Sequence, residues 1–431
     1  MIRTIGRVAR SEGIGSAARR ARERISEAMR IRMMLARGAV ARAKRSAILN
    51  ISAPGPFARL GGLPTQLIAR LDEERALRDV AWLYPGIIEF AAHAHRAPQF
   101  TSGDALFDAG FERSVAYALS VTGATVIHIE GTAGLPIGSI LQMAKSGIDV
   151  VLGVHDFSLF CARPHLVEEP IGVFCDYCVE PDRCHRCLGE TSNAGPNDQA
   201  QRRATARQLL ASARAVVFPS TFLRDKHQEL FALPDLVARV IEPAVPGESI
   251  ARTVPRARGQ RPRIAYAGSL KRHKGAHLLP EIITAFADDD VDWHIFGGGD
   301  ENFLRSVRHL PHTTVHGYYR GGTLPSLLGK HQIDLGLLLS IWPETWCFTL
   351  SECWAAGVPA VGFAHGAIAE RIMRDGGGWL APLNEGAAGI VNIVRQWLQG
   401  ELTTDIPAVT RTPRDAGIDH VALYRSLNLL D

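Results

Sequence analysis

Residues 343–359 read PETWCFTLSECWAAGVP and contain two glutamates, Glu344 and Glu352, eight positions apart. The apolar run Leu335–Leu339 predicts a buried strand before them, so Glu344 falls in the loop that follows this strand. Glu352 falls in the first turns of a helix that ends at Gly357. This stretch therefore predicts a strand, a loop and a helix in succession, with one carboxylate on the loop and one on the helix.

The start of that helix is a candidate phosphate site. Its first backbone N–H groups, at about Phe348, Thr349 and Leu350, have no partner inside the helix. Free N–H groups and the helix dipole suit a phosphate, and the carboxylate of Glu352 one turn further on can accept hydrogen bonds from a ribose diol. The alternative is an ordinary solvated helix with two surface glutamates, and the spacing alone does not decide between them.

A second informative stretch, residues 264–277, reads IAYAGSLKRHKGAH. A strand runs into Gly268, a polar loop with Lys271, Arg272 and Lys274 follows, and Gly275 precedes a helix. Glycines let a diphosphate approach the backbone, and the basic side chains neutralise the charge of a leaving group. A basic loop that is merely solvated is the alternative.

The whole chain is long enough for two domains. Its 431 residues fit two domains of about 150–200 residues each. With 46% hydrophobic and 21% charged residues, the composition is that of a globular protein. No segment approaches the roughly 18 consecutive apolar residues of a membrane span, and no secretory signal is recognisable. These features predict a cytoplasmic protein.

Strand-like and helix-like segments alternate on both sides of residues 243–263, which hold four prolines and five arginines. This alternation predicts parallel βαβ units in an α/β fold with two halves. We divide the chain into a basic amphipathic arm (1–46), a first Rossmann-like domain (47–246) with a Cys-rich insert (158–195), a second Rossmann-like domain (247–400), and a tail (401–431) that returns toward the first domain.

Residues 264–277 followed by residues 343–359 resemble two segments of the retaining glycosyltransferases of family 4. That family has the GT-B fold, in which two Rossmann-like parallel-sheet domains face a cleft. The resemblance extends from about residue 47 to the end and is strongest over residues 263–390. It rests on Glu344 and Glu352 followed by Ala-Ala-Gly-Val-Pro, and on Lys274-Gly275 after a strand that ends in glycine.

The resemblance implies a role for each of these residues. Glu344 contacts the donor sugar, Glu352 the ribose, and Lys274 the donor diphosphate. The family usually has an arginine just after the earlier glycine, where this chain has Ser269 after Gly268. Two alternatives follow: either Lys271 or Arg272 takes over that role, or diphosphate binding is weaker.

In the first half, the loop at Gly61 and Gly62 resembles the glycine-rich loop of the family, which faces the donor phosphates and the acceptor. His155, followed by Asp156, ends a predicted strand and resembles a family motif whose histidine reaches the donor sugar. His128 and Glu130 end the neighbouring strand. The side chains of His128 and Glu130 either face the same donor site as His155 or have no role beyond the fold.

The resemblance also implies the reaction type. Family members retain the anomeric configuration, and the leaving diphosphate is thought to help deprotonate the acceptor hydroxyl. The protein then contributes positioning and charge stabilisation. No divalent cation is expected for the transfer. The acidic run Asp288–Asp292 formally contains Asp-x-Asp, but it precedes a strand and predicts a solvated turn.

Five cysteines are clustered in the insert, in two C-x2-C pairs and one upstream position: Cys161, Cys175, Cys178, Cys184 and Cys187. Two such pairs favour a structural Zn²⁺ held by four thiolates. An iron–sulfur cluster and a set of plain thiols or disulfides are the alternatives. Some family members have a similar insert, and that resemblance leaves Cys178 as the spare cysteine.

The net charge of +4 is unevenly distributed. Residues 1–46 contain 12 Arg and one Lys against three Glu, which leaves the remainder mildly acidic. This arm either makes peripheral contact with the anionic inner face of the cytoplasmic membrane, binds a partner or nucleic acid, or is a solvated extension.

Two functional hypotheses follow. The first is a retaining hexosyltransferase-type enzyme that moves a sugar from a nucleotide-sugar donor to a saccharide acceptor. The acceptor would be lipid-linked, and the reaction would belong to the assembly of a surface polysaccharide or another glycan. The second is a catalytically silent GT-B protein that binds a nucleotide sugar or a partner enzyme. A third hypothesis, a nucleic-acid binder, fits poorly with the acidic body and the absence of an interleaved aromatic and basic surface; we expect no nucleic acid.

Overall fold

The computed structural model describes residues 48–53, 62–90, 93–100, 103, 105–189, 198–245 and 261–430. The basic arm predicted for residues 1–46 lies outside them, as does Gly61. The described part of the chain divides into two compact units. The first unit contains residues 48–171, 175–244 and 411–430, and the second contains residues 172–174 and 245–410 within those limits.

The first unit is built on a mostly parallel sheet. Its strands are β1 (Ile48–Ile51), β2 (Ala81–Tyr84), β3 (Ile87–Phe90), β4 (His93–Arg96), β5 (Val126–Glu130), β6 (Asp149–Gly153), β9 (Ala215–Phe218) and β10 (Ala238–Val240), with the short β7 (Val167–Glu168) in the insert. The other short strand of the insert, β8 (Val173–Phe174), belongs to the second unit. The order of the sheet is β10-β9-β6-β5-β1-β2-β3-β4. All neighbours from β10 to β2 are parallel.

At one edge of this sheet, β2, β3 and β4 run antiparallel. The prediction of a parallel sheet is wrong for these strands. Tyr84 pairs with Ile87, so Pro85 and Gly86 form a two-residue turn, in which Gly86 has a φ of 78°. Proline and glycine between two short apolar runs are the sequence signal of such a turn.

The helices of the first unit are α1 (Gly62–Glu74), α2 (Ala109–Thr122), α3 (Ile137–Lys145), α4 (Pro181–Gly189), α5 (Asp198–Ser212), α6 (Thr221–Phe231) and, far along the chain, α13 (Pro413–Ser426). The ends of α2 illustrate why they form where they do. The carboxylate of Asp108 accepts a hydrogen bond from Phe111 N at 2.7 Å, and Gly123 ends the helix with a φ of 67°. These are the typical start and stop of a helix.

The last helix, α13, packs against α1. Thr412 begins it with a capping box, in which its hydroxyl and the carboxylate of Asp415 each accept a hydrogen bond from the backbone N–H of the other residue. Leu423 and Tyr424 of this helix join a buried cluster with Ile48 of β1 and neighbouring sheet residues. Apolar burial therefore holds the end of the chain on the first unit.

The second unit contains a fully parallel sheet. Its strands are β11 (Arg263–Ala267), β12 (Asp292–Phe296), β13 (Thr313–Gly317), β14 (Leu335–Leu338), β15 (Ala360–Phe363) and β16 (Gly378–Ala381). They lie in the order β13-β12-β11-β14-β15-β16, and each pair is parallel. The near-continuous apolar runs of β11 and β14 are typical of strands buried on both faces.

The helices of the second unit are α7 (Leu279–Thr284), α8 (Glu301–Arg308), α9 (Leu324–Lys330), α10 (Phe348–Ala355), α11 (Gly366–Asp375) and α12 (Gly386–Leu398). The helix predicted after Gly275 begins only at Leu279, because two 3-10 turns, Arg272–Lys274 and Ala276–Leu278, precede α7. Among the described helices, none has the length and apolar character needed to cross a bilayer. The acidic residues Asp288, Asp289 and Asp290 are exposed, as predicted for a solvated turn.

Candidate active site

The central feature of the second unit is an ion pair between Lys274 and Glu344. Lys274 Nζ lies 2.5 Å from Glu344 Oε1, and the hydroxyl of Ser340 donates to the same oxygen at 2.5 Å. The side chain of Glu344 is 7% exposed and that of Lys274 is 30% exposed. The carboxylate is thus enclosed, while the lysine side chain, whose Nζ also lies 5.2 Å from the centroid of the Trp342 ring, stays partly exposed.

Close backbone contacts fix both partners. A Cβ on Gly275 would lie 1.9 Å from Leu339 O, at a φ of 74°, so only glycine allows the Lys274 loop to approach the end of β14. A Cβ on Gly366 would lie 2.7 Å from the backbone N and O of Glu344. The Glu344 carbonyl also accepts from Ala367 N at 2.7 Å. The packing therefore presets the geometry of the ion pair.

Helix α10 begins shortly after the loop that contains Glu344, and no side chain caps its first turn. Its N-cap residue, Cys347, has a φ of 67°. The N–H of Leu350 donates to Cys347 O at 3.2 Å, so the predicted free N–H at Leu350 is wrong. The N–H groups of Phe348 and Thr349 have no acceptor within the described ranges. Two donors at this helix end are therefore available to an anion.

Arg371 of α11 braces the loop before α10. Its Nη1 donates to the carbonyl oxygens of Trp346 and Cys347 at 2.9 and 3.0 Å, and its Nη2 donates to Ser351 Oγ at 2.6 Å. The guanidinium also stacks on the ring of Trp346, 3.8 Å from its centroid. Sequence reasoning missed this residue, because its role depends on a helix that follows the motif.

Glu352 lies on α10 and is 7% exposed. Both glutamates are buried, which excludes the alternative of two ordinary surface residues. Burial raises the pKa of Glu352 to about 7, although the N–H of Gly322 donates to its carboxylate and opposes the shift. A polar group buried in this way gains from a hydrogen-bonding ligand.

The glycine-bearing loop after β11 is shaped by close backbone contacts. A Cβ on Gly297 would lie 1.8 Å from Gly268 O, whereas a Cβ on Gly268 would meet only the hydroxyl of Tyr266, at 3.9 Å. That hydroxyl donates to Ser269 O at 2.8 Å. The surface beside Gly268 is therefore open to a ligand.

The two remaining basic residues of this loop differ. Lys271 is exposed. Arg272 donates from its Nε to the carbonyl oxygen of Gly172 at 2.9 Å, so part of its guanidinium already has a protein partner. Lys271 is thus the basic residue of the pair whose side chain is more accessible to a diphosphate.

In the first unit, His155 follows the carboxyl end of β6 and is partly buried. Burial lowers its pKa to about 4, and the cation of Arg70 adds to this effect. Its ring is therefore neutral near pH 7, able to donate or accept a hydrogen bond. Burial raises the pKa of Asp156, whose carboxylate accepts from Ser158 N at 2.8 Å. Gly62 is the first residue of α1.

His128 and Glu130 are enclosed in a buried network. Arg70 bonds to both Glu74 and Glu130, and Arg78 bonds to Glu74 at 2.5 Å. His128 Nδ1 lies 2.6 Å from the hydroxyl of Tyr424 on α13. The structure therefore favours a role for His128 and Glu130 in stabilising the fold rather than in contacting a ligand.

The five insert cysteines are free thiols, all partly buried. Backbone N–H groups of Arg163 and Glu169 donate to the sulfurs of Cys161 and Cys187, each at 3.4 Å. Burial raises the pKa of Cys161 to about 11. Among these described cysteines, no three sulfurs lie within 4.8 Å of one another. The donor set suits Zn²⁺, but the sulfurs are more widely spaced than in a formed site.

Comparisons with known proteins give a family match for the second unit. Residues 249–408 match the family model described as "Glycosyl transferases group 1". This range contains the Lys274–Glu344 pair and Glu352. No curated protein sequence matches the chain.

Similar solved structures extend the comparison to both units. Sucrose-phosphate synthase from Thermosynechococcus elongatus has 17% identity and a TM-score of 0.60, covering 89% of this chain and 97% of that one. A glycosyltransferase from Rickettsia africae has 14% identity and a TM-score of 0.56, covering 90% and 96%. HepE from Anabaena, solved in complex with UDP, has 13% identity and a TM-score of 0.51, covering 88% and 97%. The chain thus has the GT-B fold with two Rossmann-like units, and residues 249–408 form a group 1 glycosyl transferase domain.

Proposed function

We propose that the protein is a glycosyltransferase that moves a sugar from a nucleotide-sugar donor to a hydroxyl of a saccharide acceptor, with retention of the anomeric configuration. The observation that carries the proposal is the partly exposed Lys274 paired with the enclosed Glu344. Close to Glu344 in the chain, Phe348 and Thr349 offer two N–H groups at the start of α10. A cation and helix N–H groups are what a leaving diphosphate requires.

Each residue of the proposed donor site has a specific task. Lys274 and the N–H groups of α10 stabilise the diphosphate as negative charge develops on it. Glu344, positioned by Ser340, accepts hydrogen bonds from sugar hydroxyls, and Glu352 accepts them from the ribose. Gly268, Ser269 and Lys271 border the diphosphate. The leaving diphosphate takes the proton of the acceptor hydroxyl on the face that it leaves, so no protein nucleophile is needed.

His155 and the glycines at Gly61 and Gly62 are proposed to contact the donor sugar and the acceptor. As a neutral imidazole, His155 can bond to a sugar hydroxyl without adding charge. HepE, which shares the fold, binds UDP in its solved complex, and this supports uridine nucleotides as the first donors to try.

We further propose that four of the five insert cysteines bind a structural Zn²⁺, which would draw their sulfurs together. Metal analysis of the purified protein tests this, with a Cys184→Ser variant as the comparison.

We also propose that residues 1–46 hold the enzyme at an anionic membrane that presents a lipid-linked acceptor. Vesicle sedimentation with and without residues 1–46, using neutral and anionic lipids, tests this.

The test of the main proposal is turnover of a panel of nucleotide sugars with saccharide acceptors, with the product's anomeric configuration determined by NMR. We expect one donor to be consumed, a product of retained configuration, and loss of turnover in Glu344→Gln. A product of inverted configuration would contradict the mechanism. Binding of a nucleotide sugar without any turnover would instead support the catalytically silent alternative, which the serine at position 269 allows.

A further inference from the structure

Three histidines of the second unit lie together, although they are far apart in the sequence. His294 is on β12, His316 is on β13, and His331 directly follows α9. One ring nitrogen from each lies within 4.8 Å of the other two. All three residues are partly buried, and none belongs to the proposed donor site.

The local fold explains how they converge. The pairing of β12 with β13 shifts in register after Ile295, so that Phe296 pairs with Gly317 and His316 is left as an extra residue. The ring of His316 stacks on Phe296, with centroids 4.3 Å apart. His331 approaches His316 from the end of α9, with centroids 4.4 Å apart. Two strands and one helix end therefore supply one nitrogen each.

The distances fit a metal ion. His294 Nδ1 and His316 Nε2 are 2.9 Å apart. Two nitrogens bound tetrahedrally at about 2.0–2.1 Å from Zn²⁺ would be about 3.3 Å apart, so the pair needs to open by only a few tenths of an ångström. In the present arrangement the two nitrogens share one proton in a hydrogen bond. Transfer of that proton to the other nitrogen of its own ring leaves two lone pairs for a metal.

The surrounding charges are mixed. Arg263 lies close by, with its Nη1 donating to His331 O at 3.1 Å and its Nε 3.9 Å from Asp292 Oδ2. Lys330 is the residue before His331. The nearby cations oppose the binding of any divalent ion, and the Asp292 carboxylate partly offsets them. The donor set of three imidazoles, rather than the charge, selects zinc, copper or nickel over a hard, oxygen-preferring ion.

We propose that His294, His316 and His331 form a site for a divalent transition-metal ion, with Zn²⁺ as the expected occupant and a fourth position open to water. The ion joins the end of α9 to the edge of the sheet. Because α9 packs against α10, the ion also supports α10, the helix that carries Glu352. The site does not depend on the protein being a transferase.

The experiment measures binding of Co²⁺ or Zn²⁺ to metal-free full-length protein by dialysis and elemental analysis. The test variants are His316→Gln and His331→Ala, and the exposed His309→Ala is the matched control. We expect each test variant to bind about one equivalent less than wild type, and the control to bind the same amount. The remaining affinity should fall more than about tenfold, because even the loss of a residue outside the coordination sphere costs 10–100-fold.

Two further readouts separate this site from the cysteines and from misfolding. Co²⁺ bound to thiolates gives an intense near-ultraviolet charge-transfer band, which should persist unchanged in both test variants. The melting temperature should rise with Zn²⁺ more in His309→Ala than in His331→Ala, while the two metal-free variants melt alike. Equal metal content in wild type, His316→Gln and His331→Ala would overturn the proposal and leave a hydrogen-bonded histidine pair.

Discussion

Two ion pairs near strand ends, one in each unit, differ in how completely they are enclosed. In the first unit, Arg70 lies between Glu74 and Glu130, and each side chain is at most 3% exposed. In the second unit, Glu344 is 7% exposed, but its partner Lys274 is 30% exposed. The first cluster is saturated by protein partners, whereas the second retains an accessible cation.

This difference suggests different roles for the two ion pairs: the Arg70 pairs stabilise the fold, and the Lys274–Glu344 pair serves the proposed reaction. A fully enclosed pair cannot exchange a partner, and its charges remain tolerable only while every partner is present. An accessible lysine beside an uncapped helix start can bind an anionic ligand. We therefore expect substitutions in the first cluster to affect folding, and substitutions in the second to affect the reaction.

The largest expected effect is on stability. Arg70→Met leaves the carboxylates of Glu74 and Glu130 buried without their shared cation, which should lower the free energy of unfolding by about 3–5 kcal/mol. Urea denaturation measures this change. The exposed pair of Arg224 and Asp225 provides the control, because Arg224→Met should cost less than about 1 kcal/mol. Equal losses would contradict the distinction between the clusters.

The next effect is on turnover. Glu344→Gln retains the shape of the side chain and an acceptor for Ser340, but it removes the charge that faces Lys274 and the donor sugar. We expect the rate to fall by about 100–1000-fold, or about 3–4 kcal/mol, as for other losses of one stabilising contact. Urea denaturation should show a much smaller change than for Arg70→Met, and the exposed Glu401→Gln should retain full activity. An active Glu344→Gln enzyme would exclude the assigned role.

A smaller effect concerns pH. Burial raises the pKa of Glu352 from 4.5 to about 7, so the folded state holds this proton more tightly than the unfolded state. Wild-type stability should therefore decline as the pH rises from about 4.5, and the loss should be complete above about 7. Glu352→Gln removes this penalty, on the order of 3 kcal/mol, and should melt higher than wild type at pH 8 but not at pH 4.5. A pH-independent difference in melting temperature would refute the assignment.

The smallest effect concerns the helix that completes the first cluster. Thr412→Ala removes the cap of α13, which carries Tyr424, and should lower the free energy of unfolding by about 1 kcal/mol. Thr323→Ala is the matched control, since Thr323 precedes α9 without making a side-chain cap bond. Donor affinity should be unchanged in both variants. A loss of donor affinity in Thr412→Ala would mean that the two regions are coupled.

The sequence predicts the second unit better than the first, for a physical reason. The strand predicted to run into Gly268 is Arg263–Ala267, and the apolar run Leu335–Leu339 forms the strand Leu335–Leu338, because apolar runs next to glycines and loops are clear strand signals. The roles of Lys274, Glu344 and Glu352 came from local spacing and from a resemblance. They remain predictions until donor binding is measured.

Features that depend on distant contacts were not predictable in this way. The buried network that surrounds Arg70 also includes α13, whose Tyr424 lies 296 residues after its partner His128. The antiparallel edge is a local exception: Pro85-Gly86 is a turn signal, but strands of four residues give too short a pattern to assign their direction. The histidine group at His294 depends on a register shift between strands, which no spacing in the sequence encodes.

The most direct test of the central claim is thermal stabilisation by nucleoside diphosphates and nucleotide sugars, compared between wild type, Lys274→Ala and the control Lys145→Ala. A ligand at about 100 times its Kd should stabilise the folded state by about 2.7 kcal/mol. We predict a selective rise in melting temperature with one nucleotide for wild type and Lys145→Ala, and no rise for Lys274→Ala. The same rise in all three proteins, or no rise in wild type with any nucleotide, would contradict a donor site at Lys274 and Glu344.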